Sequence, residues 1–262
     1  MKVLIKNEFT KLKREWFVLF LLLLSWLPVL TGGVGAVFNN STKTVSDLFF
    51  FMNNQFSMFF PMVIVILTGS LFYQEYKNKT YINWITYGYS KQQLFSAKII
   101  VGFVIEIVFA ASLICLFHIL ILMLKIAGKV SVDIQEILSL TVGFALEAII
   151  VILITTCIAA IIINISRNII VTSVIGVIYG FVSCFFIGSE FGYVIPGSFA
   201  YRLSMYFSDS STYYELAKQA TIGGCISSII SFGLMLFMGI FIFTRKKKSK
   251  ANDCRTTAKE KK

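Results

Sequence analysis

The sequence predicts an all-α integral membrane protein, and three observations predict it. Hydrophobic residues make up 57% and charged residues 14% of the 262 residues, against roughly 45–50% and about 25% in soluble domains. The apolar residues gather into six runs, at 16–37, 55–73, 99–124, 137–163, 169–187 and 222–243. Each is near the ~20 residues that a bilayer-crossing helix needs. The basic residues gather on alternate connecting segments. No single core in a chain of this size could hide so much apolar surface, so lipid must cover most of it. Backbone polar groups in lipid must bond internally, which makes these runs helices. Strands of a membrane barrel would alternate polar and apolar residues, and these runs do not.

The charge pattern gives an orientation. Nineteen of the twenty-four lysines and arginines fall before the first run, between the second and third, at Arg167, and after the sixth. Only Lys43, Lys125, Lys129, Arg202 and Lys218 fall on the other side. This bias places both termini in the cytoplasm and accounts for most of the net charge of +11. The basic tail at 244–262, opening with Arg245-Lys246-Lys247-Lys248, follows a span directly. It reads as an anchor to anionic lipid rather than a nucleic-acid patch.

Residues 1–15 predict an amphipathic interfacial helix, with Ile5, Phe9, Leu12 and Trp16 at helical spacing and Lys2, Lys6, Lys13 and Arg14 elsewhere on the wheel. A flexible basic leader is the other reading. A signal peptide cleaved near Val34-Gly35-Ala36 is disfavoured because the apolar run is too long. In the first span Pro28, Gly32, Gly33 and Gly35 mark either a hinge or the Pro/Gly tolerated in membrane helices.

A charged stretch, Glu75 to Thr80, is wedged between the second and third spans, and the segment 76–86 has helix-compatible spacing that Gly88 would end. The loop between spans four and five is a tight turn at 164–168. The external segment 188–221 is long and aromatic, and the part around 194–207 either dips back toward the bilayer or forms a plain loop.

The chemistry available is sparse. No Walker loop, HExxH or GxSxG is present. Of the five cysteines, Cys115, Cys157, Cys184 and Cys225 lie in spans and Cys254 in the tail, with no pairing or metal-ligand spacing. Neither a catalytic nor a metal-ligating set is predicted. Three ionisable residues lie in spans: Glu106 and His118 in the third and Glu147 in the fourth. Such groups face a bundle interior or a wet pathway. His118 and Glu147 stand at similar depth and could pair, as glue between two helices or as part of a proton path. Glu106, on the inner half, could reach headgroup level or the N-terminal helix. Gly176 and Gly180 form a GxxxG in the fifth span, which admits another helix backbone.

At this point the chain resembles a permease subunit of the ABC-2 type. The likeness rests on Asn7-Glu8-Phe9-Thr10-Lys11-Leu12-Lys13-Arg14 at the start, the six spans, and the long last external loop. Its most telling part is Phe72-Tyr73-Gln74-Glu75-Tyr76-Lys77-Asn78-Lys79-Thr80, followed by Tyr89-Ser90-Lys91 and Ala97-Lys98. The size and this segment are close to permeases of bacteriocin-immunity, lantibiotic and antimicrobial-peptide exporters of Gram-positive bacteria; Lys91 stands where arginine is frequent. The resemblance implies that the segment after span two is a coupling helix docking on separate ABC ATPase subunits, which bind ATP and Mg. Glu75, Tyr76, Lys77, Lys79, Thr80 and Tyr81 would carry that contact. It implies a second permease, identical or related, with Gly176 and Gly180 at the seam, and a hydrophobic or amphipathic peptide as substrate, in a bacterial plasma membrane. The competing reading is a proton-coupled secondary transporter using Glu106, His118 and Glu147.

Overall fold

A computed structural model describes residues 1–13, 15–38, 44–78 and 88–245. Among these, the regular elements are helices throughout: α1 (Lys2–Leu12), α2 (Trp16–Ser25), α3 (Leu27–Phe38), α4 (Val45–Asn78), α5 (Lys91–Ile126), α6 (Ile134–Ser166), α7 (Ile169–Phe185), α8 (Pro196–Tyr206) and α9 (Ala217–Arg245), with short 3-10 turns at Glu190–Val194 and Ser210–Thr212. The predicted residues Lys79, Thr80 and Tyr81 and the tail beyond Arg245 lie outside the described residues.

Four helices, α4, α5, α6 and α9, are long and apolar enough to cross a membrane, and α2 with α3 makes a fifth if the bent pair is one span. The fifth apolar run also forms a helix, but α7 is only 17 residues, about 25 Å at 1.5 Å per residue and short of a ~30 Å hydrocarbon core. The first span is bent by 43° between α2 and α3. The bend falls two residues before Pro28, whose missing N–H and ring clash break the helical bonding behind it. Trp26 holds the bend by donating its indole N–H to Ser112 on α5 at 2.9 Å.

α4 is the mast of the bundle. Its packed face carries Phe49, Phe56, Phe60, Ile64, Leu67 and Leu71, all essentially inaccessible, and it lies against α6, α7, α5 and α3. The Phe56 ring stacks on Phe60 and tilts against Phe144 of α6. α9 is the opposite case, with Ile222, Ile226, Ile229, Leu234 and Phe237 exposed, as expected of a helix that turns most of its surface to lipid. The long segment 188–221 is no plain loop. Pro196, pre-set for the first helical turn, starts α8, whose Phe199, Ala200, Tyr201, Ser204 and Met205 are buried against α6, α4 and α9. Gly143 on α6 lets the α8 backbone approach: a Cβ there would stand 2.9 Å from the Ser204 carbonyl.

Of the predicted apolar stripe of α1, Leu12 is buried and Ile5 half-buried against protein. Leu4, Glu8 and Leu12 are buried, at i, i+4 and i+8, and Leu4 packs on Leu94 and Ala97 at the start of α5. Phe9 and Trp16 point away from the protein.

Candidate functional site at the end of α4

The last turn of α4 is held from two sides. Glu75 is 5% exposed and sits in a four-residue ionic cluster with Glu8, Lys11 and Lys98. Lys11 Nζ lies 2.7 Å from Glu8 and 2.5 Å from Glu75, and Lys98 Nζ lies 2.8 Å from Glu8 and 3.4 Å from Glu75. Lys98 Nζ also donates to the Leu71 carbonyl at 2.8 Å. Two carboxylates and two ammonium groups alternate, so the cluster is neutral, which is the condition for keeping charges out of water. It joins three elements distant in sequence: α1, the end of α4 and the first turns of α5. Burial works against the charge on Lys11. The charge of Glu8, hydrogen bonds to Glu75 and Glu8, and the charge of Glu75 outweigh it and raise the Lys11 pKa above its ordinary 10.5.

Tyr76 faces the other way. Its hydroxyl donates to the Asn164 side-chain carbonyl on α6, and Asn164 anchors itself by donating to the Ala160 carbonyl at 2.6 Å. The Arg167 guanidinium stands 5.8 Å from the Tyr76 ring centre. Arg167 ends α6 in the left-handed conformation, and Asn168 then caps α7 through Ile170 N–H. Tyr76 therefore ties α4 to the α6–α7 corner. The start of α5 is fixed as well: Ser90 and Gln93 form a capping box, and Lys91 donates to the Thr244 carbonyl at the end of α9, where a cation suits the helix C-terminus. An open cavity of about 760 Å³ lies beside the cluster, between α1, the end of α4 and Ile169, with Asn7, Thr10, Lys11, Glu75 and the exposed Lys77 on its walls.

Several predicted placements change. Glu75 was expected to reach outward to a partner, but its carboxylate is already engaged by Lys11 and Lys98; of the described charged residues of that segment, Lys77 is the outward one. Glu106 bonds within the bundle rather than to α1. It is fully buried, accepting from Thr68 of α4 at 2.8 Å and from Thr156 of α6 at 2.5 Å. His118 and Glu147 do not pair. His118 Nε2 bonds Thr141 at 2.9 Å, and Glu147 accepts from Ser57 at 2.7 Å, because the two side chains turn to different neighbours despite their similar depth. Gly176 and Gly180 admit α4 of the same chain rather than a second copy. A Cβ on Gly176 would stand 2.6 Å from Val65, and one on Gly180 would stand 2.8 Å from the Met58 carbonyl.

Sequence reasoning left four members of the clamp without a role: Glu8, Lys11, Lys98 and Asn164. Two had a visible signal. Glu8 stands between Leu4 and Leu12 on one helical face, and Lys98 precedes the apolar run of α5 with Leu94 one turn before it. A charge on an otherwise apolar face implies a buried partner of opposite sign.

Neither a curated protein nor a solved structure matches the chain at a significant level. A family model described as ABC-2 family transporter protein matches residues 4–183, a stretch that contains every member of the clamp: Glu8, Lys11, Glu75, Tyr76, Lys98, Asn164 and Arg167. On that match the chain belongs to the ABC-2 transporter family, as a multi-pass membrane permease subunit.

Proposed function

We propose that this permease is the membrane half of an ATP-driven exporter, with six spans, both termini in the cytoplasm of a bacterial cell and ATP and Mg bound on separate ABC ATPase subunits. A second permease, identical or related, completes the pathway. The observation that carries the reading is the double clamp on Glu75 and Tyr76, immediately before residues 79–87. A push on that segment reaches α1 and α5 through Glu75, and α6 and α7 through Tyr76, so the whole bundle rocks as a body. Lys77 and the following Lys79, Thr80 and Tyr81 meet the ATPase, while Glu75 anchors the transmitting helix from behind.

The substrate is a hydrophobic or amphipathic peptide such as a bacteriocin or antimicrobial peptide. The family resemblance of the coupling segment supports this, as does an apolar groove of about 210 Å³ between α5 and α6, lined by Ile107, Ile114, Phe144 and Ile152. Affinity purification of the tagged chain from its native membrane in mild detergent, followed by mass spectrometry, tests the assembly. A stoichiometric soluble protein with a P-loop, reduced by Lys77→Glu, is the expected result. A single-chain species in every mild detergent would overturn the proposal. Growth inhibition by a panel of cationic and apolar peptides, with and without the permease, tests the substrate class.

A further inference from the structure

Glu106 and Glu147 are both completely buried carboxyl groups, yet their surroundings differ. Both oxygens of Glu106 are bonded, one to Thr68 and one to Thr156. Glu147 has Ser57 on one oxygen, and its Oε2 has no hydrogen-bond partner. Around it stand Asn53, with neither end of its amide bonded, and Ser204, with its hydroxyl unbonded, each 0% exposed. Both lie within interaction distance of the Glu147 carboxyl. These residues come from three helices: Asn53 and Ser57 from α4, Glu147 from α6 and Ser204 from α8. Buried polar groups in folded proteins are almost always satisfied. Several unsatisfied ones converging on one point mark a place for a small guest. A neighbouring void of about 10 Å³, about the space of one water-sized sphere, is lined by Ser57, Thr155 and Ser183 but not by Asn53, Glu147 or Ser204.

Charge decides what the guest is. None of the ion pairs among the described residues includes Glu147. The other titratable groups facing it are Cys184 of α7 and Tyr201 of α8, and the Tyr201 hydroxyl is itself bonded to Asn54 at 2.7 Å. An uncompensated carboxylate at this depth is too costly to persist, so Glu147 either holds a proton as a neutral acid or stands beside a cation. One carboxylate, one amide carbonyl and two hydroxyls form an all-oxygen donor set carrying a single negative charge, which suits a hard cation of charge one rather than two.

We propose that Asn53, Ser57, Glu147 and Ser204 form a monovalent-cation site inside the permease, joining α4, α6 and α8, and occupied either by an alkali-metal ion or by a proton with ordered water. The test is thermal unfolding of the purified full-length permease, with its co-purifying partners, in NaCl, KCl and choline chloride at equal ionic strength. The same measurement is made across pH in choline chloride. Glu147→Gln removes the charge and keeps the shape, and Asn53→Ala removes a ligand and keeps the charge. A metal occupant raises the midpoint by roughly 3–8 °C in Na⁺ or K⁺ over choline, and Glu147→Gln abolishes the rise. A proton occupant gives no alkali-metal effect but a fall in midpoint with rising pH that Glu147→Gln removes. In either case Asn53→Ala shifts the concentration or pH of half-effect by about tenfold, which keeps the test decisive should Glu147→Gln fail to fold. A wild-type protein whose response to salts and pH matches that of the variants would overturn the proposal.

Discussion

Replacing Lys98 with methionine tests the ionic cluster most sharply. The side chain keeps its length and apolar stem but loses the charge that lies 2.8 Å from Glu8 and 3.4 Å from Glu75. At an effective dielectric near 20 those contacts amount to about 6 and about 5 kcal/mol of attraction, most of it offset by the cost of desolvating the groups. What the variant exposes is the remainder: two buried carboxylates share Lys11 alone, and the cluster carries a net charge of −1. Removing one partner from a buried pair typically costs about 3–5 kcal/mol, or roughly 6–20 °C in unfolding midpoint for a chain of this size. The double variant Lys98→Met with Glu75→Gln restores neutrality, leaving Glu8 and Lys11 at 2.7 Å. It should recover at least half of the loss, since contacting charges couple by about 0.5–3 kcal/mol. Unfolding by intrinsic fluorescence in detergent or nanodiscs reads both. A Lys98→Met midpoint within about 1 °C of wild type, or a double variant equal to the sum of its singles, would refute the reasoning.

The raised pKa of Lys11 fixes a pH signature. Its contribution to stability is complete below 10.5 and is lost as pH rises through the higher folded value, so the stability gap between wild type and Lys11→Met should hold at neutral pH and narrow in strong alkali; a gap constant to about pH 12 would contradict the assignment. Gly180→Ala should destabilise by about 1–3 kcal/mol through overpacking, because the new Cβ meets the Met58 carbonyl at 2.8 Å. Gly233→Ala on the open face of α9, with nothing within 4 Å, should be neutral or stabilising as helix propensity dictates; a stabilising Gly180→Ala would return that face to a role outside the chain. Tyr76→Phe keeps the ring near Arg167 and removes the bond to Asn164, at a cost of about 0.5–1.5 kcal/mol. In the reconstituted transporter it should lower the substrate moved per ATP hydrolysed, and an unchanged ratio would show that the α6–α7 corner does not transmit.

The helical class and the approximate place of each apolar run were legible because lipid burial demands uninterrupted hydrophobicity. The lengths were not. α4 runs 45–78 against a predicted 55–73 because its polar first turns still find partners, Ser46 with Glu136 and Asn54 with Tyr201, and hydropathy does not register helix continued by hydrogen bonding. The capping box at Ser90 and Gln93 was written in the sequence and moved the start of α5 eight residues ahead of its hydropathy boundary. Partner choice was the least legible feature. The GxxxG announced a close approach without saying by which helix. Depth alone suggested a His118–Glu147 pair, but a pair also needs the right rotation about each helix axis, and helices apolar on nearly every side give little sign of it.

The position of the clamp along α4 explains how one helix could serve both an ATPase and a distant polar site. Glu75 and Tyr76 are consecutive, so they project about 100° apart around the helix, one toward α1 and α5 and the other toward the α6–α7 corner. A displacement at Asn78 therefore loads both sides of the bundle at once, and neither can yield alone. Up the same helix, Glu106 binds α4 to α5 and α6 through Thr68 and Thr156, which stiffens the stretch in between. The first weak point is Pro61, about 26 Å from Asn78 at 1.5 Å per residue. There the missing N–H leaves the Ser57 carbonyl without its helical bond. Ser57 is also the residue whose hydroxyl holds Glu147. The stiff segment of the mast thus begins at the charged clamp and ends at the one buried carboxyl among the described residues with an unsatisfied oxygen. A movement imposed at the first would be felt as a change in geometry at the second.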